Sequence, residues 1–164
     1  MMFHWTPDMI RFMKDASEYG TFSRELGELV REELGEGLHL CDAGCGLGYL
    51  SLEMAGYSDW VTAADLNPDA LAVLRRNVAD RKLRNIRITE ENIFENQDKK
   101  CFDGMVFCLM GEVREVTEAA ARLCRGKVMM INKNYNGHRF SAGTYSSNQF
   151  EAPEVYLQKQ GIPC

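Results

Sequence analysis

Residues 41–51, Cys-Asp-Ala-Gly-Cys-Gly-Leu-Gly-Tyr-Leu-Ser, decide the fold. They end an apolar run that begins at Leu38 (LHLCDA) and open a helical pattern at Tyr49. Gly44, Gly46 and Gly48 therefore fall on a strand-to-helix turn. Glycine accepts positive φ and has no Cβ, so such a turn can tighten and a second body can approach its backbone closely. In a doubly wound sheet, ligands bind in the crevice at the carboxyl ends of the strands, and Asp42 stands at that end.

Outward from this turn, short apolar runs alternate with amphipathic segments, the pattern of βαβ units around a parallel sheet. WVTAAD (60–65), NIRIT (85–89), FDGMVFCL (102–109) and KVMMIN (127–132) read as the second to fifth strands. Helices are expected near Tyr49 to Ala55, Pro68 to Asp80 and Val113 to Cys124. The second of these is well specified: Asn67 caps it, Pro68 sits in its first turn, Asp69 complements its positive end, and Leu71, Leu74 and Val78 share one face. Right-handed crossovers then predict an α/β, three-layer Rossmann-like doubly wound sheet, mainly parallel, in the order 3-2-1-4-5.

Upstream, Thr6 and Pro7 open a helix that Gly20 ends, and Phe22, Leu26, Leu29, Val30 and Leu34 form the stripe of a second helix stopped by Gly35. These two helices are expected to cover an edge of the sheet. Downstream of the fifth strand, KNYNGHRFSAGTYSSNQFE is a long polar loop, followed by a short helix, PEVYLQKQ. The whole reads as a single domain, 1–164: N-terminal helices over 1–36, an α/β core over 37–132, and the loop and terminal helix over 133–164.

The chain has 164 residues, 45% hydrophobic and 26% charged, with four prolines, which excludes fibrous and disordered classes and leaves room for one good core. No apolar stretch is long enough to cross a bilayer and no signal-peptide pattern opens the chain, so the expected location is cytoplasmic. The formal charge of −5 gives no general attraction to a phosphate backbone, which sets nucleic acid aside as an obligatory partner. The basic run at Arg75, Arg76, Arg81, Lys82 and Arg84 reads as a solvated face. The six cysteines contain no CxxC pair, and no histidine is placed to complete a ligand set with Cys41 and Cys45, so reduced thiols and no metal are expected.

Asp65 ends the second strand, 23 positions after Asp42. A carboxylate there can accept from both hydroxyls of a ribose, so the glycine turn and Asp65 together predict an adenosine-containing ligand. The spacing discriminates between candidates. A dinucleotide fingerprint is GxGxxG, whereas here the run is GxGxG and Tyr49 occupies the dinucleotide position of the third glycine.

This combination of apolar strand, acidic residue and GxGxG resembles the class I S-adenosylmethionine-dependent methyltransferases, and DLNPDALAVLRRN and EENIF resemble the segments after that family's second and third strands. The resemblance covers residues 38–132. It implies S-adenosylmethionine as cofactor, S-adenosylhomocysteine as product, and a cofactor site formed by Asp42, Gly44, Cys45, Gly46, Gly48, Asp65, Leu66, Asn92, Ile93 and Cys108. In it Asp42 would orient the amino-acid end, Asp65 would hold the ribose, and Asn92 and Ile93 would meet the adenine.

The end of the fourth strand departs from the family. Cys108-Leu109-Met110-Gly111 replaces the two-proline motif associated with amino-group chemistry, and no catalytic residue is assigned. The usual final antiparallel pair of strands is also missing from the pattern, so the fifth strand is expected to need cover, for example through a homodimer at that sheet edge. Tyr19 and Ser23, and the loop residues Tyr135, His138, Arg139, Phe140 and Tyr145, are further candidates for ligand contact. His138 and Glu112 are conceivable general bases.

The leading expectation is methyl transfer to an acceptor, with a small molecule favoured. The alternatives are an S-adenosylmethionine-binding module that is inactive without further strands or a partner, and a nicotinamide (NAD) oxidoreductase.

Overall fold

The computed structural model describes residues 5–132. The expected loop and terminal helix over 133–164, with the candidate residues Tyr135, His138, Arg139, Phe140 and Tyr145, lie outside the described residues. Five parallel strands, β1 (His39–Ala43), β2 (Trp60–Asp65), β3 (Ile86–Glu90), β4 (Phe102–Cys108) and β5 (Cys124–Ile131), form one sheet in the order β3-β2-β1-β4-β5. The helices are α1 (Pro7–Tyr19), α2 (Phe22–Leu34), α3 (Tyr49–Met54), α4 (Pro68–Asp80) and α5 (Val113–Leu123). The expected Rossmann-like order is the observed one.

Local chemistry sets the helix starts. The Asn67 side chain accepts from Ala70 N at 2.9 Å ahead of Pro68, and the Thr6 hydroxyl accepts from Met9 N at 3.3 Å ahead of Pro7. Alternation along the strands then divides the core. Leu40, Val61 and Val106 face Leu26, Val30, Leu50 and Met54 of α2 and α3, while Cys41, Ala43, Met105 and Phe107 face Val116, Ala119 and Leu123 of α5. Each large apolar side chain fully buried here contributes about 1.5–3 kcal/mol.

Two expectations are corrected. First, β5 starts at Cys124, three residues before Lys127, because α5 runs into the strand without a loop: Cys124 is both the helix C-cap and the first strand residue. Arg125, Gly126 and Lys127 are exposed there, so this part of the strand needs no apolar pattern. Second, the N-terminal helices meet the edge strand β5 only from a sheet face, through α2, where Lys127 Nζ donates to Glu33 O at 2.8 Å. Helix α2 lies on a sheet face and meets α3 so closely that a methyl group on Gly27 would stand 2.7 Å from Glu53 Cβ. Helix α1 buries no residue at all. Among the described residues, no strand pairs with the outer edge of β5, and no helix is long and apolar enough to cross a membrane.

Candidate functional site

The glycine turn is tied to the end of β2 by backbone and carboxylate. Gly44 N and Cys45 N both donate to Ala64 O, at 2.8 and 3.0 Å. Gly46, at φ +54°, donates its N–H to Asp65 Oδ2 at 2.8 Å, and Asn67 N donates to Asp65 Oδ1 at 2.9 Å. Asp65 thus holds the turn and the start of α4 together. A carboxylate offers about four acceptor positions, so two remain for a ligand's hydroxyls. Gly48 serves packing instead. At its φ of +73°, a methyl group would collide with the Leu74 side chain of α4, so this glycine lets helix and turn meet.

Asp42 is buried at the end of β1. It is 2% exposed and accepts from the Ser51 hydroxyl of α3 at 2.5 Å. Burial raises its pKa to about 6, partly countered by the Ser51 hydrogen bond. Its side chain joins β1 to α3, at the position where the sequence expects a residue that orients the cofactor's amino-acid end. Burial also pushes the neighbouring thiols up, Cys45 well above its ordinary value and Cys108 to about 11, with Asp42 adding to both. Neither thiol is poised as a thiolate nucleophile.

The turn after β3 is locally satisfied. Asn92 Oδ1 accepts from Phe94 N at 3.2 Å and its Nδ2 donates to Glu95 at 2.9 Å, an Asx turn that leaves one N–H and one lone pair of this amide for a ligand. Ile93, expected to pack on the ring, is 1% exposed and lies in the core with Phe107 and Val116. Leu66, next to Asp65, keeps an exposed apolar surface that a flat ring could cover. At the end of β4, Leu109 adopts φ +56°, a left-handed conformation unusual for leucine, and is half exposed. Glu112 forms a capping box with Glu115 at the start of α5, which accounts for it structurally.

Two residues missed by sequence reasoning meet the glycine turn. The Trp5 indole lies on Gly46, with Cζ2 3.0 Å from where a Cβ would stand, and the Met110 thioether lies where a Cβ of Gly44 would be. Both contacts join distant parts of the chain, and no local periodicity signals them. Tyr19 is almost fully exposed. Ser23 lines a separate groove of about 260 Å³ with Glu18, Tyr49, Glu53 and Arg81, which includes neither Gly46 nor Asp65.

Residues 21–108, more than half of the chain, match the model of the methyltransferase small domain family. The chain belongs to that family. Its fold is shared with solved structures of low identity. A SAM-dependent methyltransferase from Aquifex aeolicus superposes with a TM-score of 0.73 at 17% identity, covering 98% of this chain and 90% of that one. The YcgJ protein from Bacillus subtilis gives 0.61 at 15% identity, with 66% and 50% covered, and Trm5b from Pyrococcus abyssi gives 0.55 at 23%, with 66% and 32% covered. The chain thus spans half the length of YcgJ and about a third of Trm5b. No curated protein matches the sequence. Membership in a methyltransferase family weighs against the nicotinamide oxidoreductase alternative.

Proposed function

We propose that this methyltransferase-family domain binds S-adenosylmethionine at the carboxyl ends of β1 and β2 and serves methyl transfer to a small-molecule acceptor. The observation that carries the reading is the Asp65 carboxylate, fixed by Gly46 N–H at 2.8 Å with acceptor capacity to spare beside a turn whose glycines carry no Cβ. The residues fit the group. Asp65 would take the ribose hydroxyls, the exposed face of Leu66 would cover the adenine, and Gly44 and Gly46 would lie under the methionyl portion. When bound, the cofactor supplies an activated methyl on sulfur. The chain's own contribution is to orient the two reactants and keep water out.

Net charge supports the small-molecule reading, since −5 does not attract a phosphate backbone. So does the β4 turn, where Leu109 and Met110 offer an apolar rather than a charged wall.

The β4 turn also favours a second reading, a cofactor-binding module that methylates only with further chain or a partner. Glu112 is committed to capping α5 and the Cys108 thiol is held protonated, so neither is placed as a base there. Formation of S-adenosylhomocysteine by the isolated chain with any acceptor dismisses it. The cofactor proposal itself is tested by thermal shift: S-adenosylmethionine and S-adenosylhomocysteine should raise the melting temperature and NAD should not. A rise with NAD alone would overturn it.

A further inference from the structure

The glycine turn that the proposed function assigns to the cofactor is covered by the protein's own Trp5. The indole meets Gly46 with Cζ2, Cη2 and Cε2 at 3.0, 3.7 and 3.9 Å from the Cβ position. That is one ordinary contact layer. The cofactor's methionyl portion cannot lie against the same glycine unless the ring leaves, because a ligand atom needs about 3.5–4.0 Å of its own from each neighbour. Met110 covers Gly44 in the same way, but it is an unbranched thioether with three rotatable bonds and can clear the turn by changing rotamer. Trp5 carries a large ring on two torsions and sits just before the helix start at Thr6 and Pro7, so the position of the arm sets where the ring lies.

That arm is weakly held. No residue of α1 is buried, and Phe12 and Tyr19 on it are 70% and 90% exposed. Among the described residues, a side-chain link from it to the body, Tyr49 hydroxyl to Glu18 at 3.2 Å, is an exposed hydrogen bond. A segment that buries so little can open at a small fraction of the global unfolding free energy. The indole on Gly46 adds a contact at the start of the arm.

We propose that Trp5 is a gate on the cofactor site: its indole fills the glycine turn in the free protein, and ligand entry lifts it together with the α1 arm. The proposal rests on the cofactor reading above. It predicts that part of the intrinsic affinity is spent on displacing the indole, so the observed affinity is lowered by the fraction of molecules already open.

The test uses the full chain and S-adenosylhomocysteine as the probe. The protein has two tryptophans, and Trp60 opens β2 at the other end of the strand from Asp65. In Trp60→Phe, the remaining Trp5 emission should shift to the red and become more accessible to acrylamide as the probe is added. Trp5→Ala should bind the probe about three- to tenfold more tightly than wild type by calorimetry. Trp5→Phe, with a smaller ring, should fall between, and it carries the test if the alanine variant does not fold.

Weaker binding by Trp5→Ala, together with a blue shift of the Trp5 emission when Trp60→Phe is titrated, would make the indole a wall of the occupied site and overturn the gate while leaving the cofactor reading intact. Unchanged affinity and emission would also overturn it. Probe binding by Trp5→Ala but not by wild type would support a gate that is closed in nearly every molecule. Binding by neither form would defeat the cofactor reading, and the gate with it.

Discussion

On the β1–β2 side of the crevice, Asp65 holds the N–H groups of Gly46 and Asn67, Ala64 O receives two more, and Gly48 lets the turn lie on Leu74 of α4. On the β4 side, the turn from Cys108 to Gly111 presents a half-exposed leucine in a left-handed conformation, a thioether and a protonated thiol, and its nearest carboxylate caps its own helix. The first side is defined by backbone geometry and one carboxylate, and the proposed function places the cofactor there. The second is defined by apolar contacts, and those specify an acceptor only through shape. A family can therefore be read from the first side while the acceptor stays open on the second.

The contrast is sharpest in stability. Gly48→Ala places a methyl group into Leu74 at a positive φ and should destabilise the fold by about 4 kcal/mol, combining left-handed strain with overpacking, as read by urea unfolding. A loss below about 1 kcal/mol would mean that the turn is not packed as described.

Asp42 gives the next effect. Its folded pKa of about 6 lies above the ordinary 3.8, so the folded state binds the proton more tightly than the unfolded one. This group's contribution to stability is greatest below pH 4 and falls as the pH rises through 6, by about 3 kcal/mol in all. Asp42→Asn removes the titration, so the difference in stability between variant and wild type should move in the variant's favour between pH 4 and 7. A pH-independent difference would contradict the burial of this carboxylate.

On the other side of the crevice the expected effect is smaller. Glu112→Ala should cost about 1 kcal/mol, the value of a helix cap, and should leave cofactor affinity unchanged. Loss of affinity or turnover without loss of stability would make Glu112 a catalytic candidate again.

The same contrast explains what the sequence disclosed. Asn67-Pro68-Asp69, Thr6-Pro7 and the glycine run are local signals, and the elements they start lie where the pattern puts them. The start of β5 is hidden because Arg125, Gly126 and Lys127 are exposed, and exposed positions need no apolar periodicity. At the site, the pattern places Asp65 at the end of β2 beside the glycines, and there it accepts the N–H groups of Gly46 and Asn67. Asp42 looks equivalent in sequence, but its partner Ser51 lies in the first turn of α3 and draws it inward. Ile93 points to the core because α5, some way further along the chain, needs a facing surface. Trp5 on Gly46 and Met110 on Gly44 join residues that no local pattern connects.

Calorimetric titration of S-adenosylhomocysteine into wild type and Asp65→Ala addresses the cofactor site most directly. Wild type should bind saturably, and the variant should bind at least about tenfold more weakly, the loss expected from one or two charge-assisted hydrogen bonds, each worth about 1.5–3 kcal/mol. Equal affinity in the two proteins, with the variant folded, would contradict the role given to Asp65 and the site built around it.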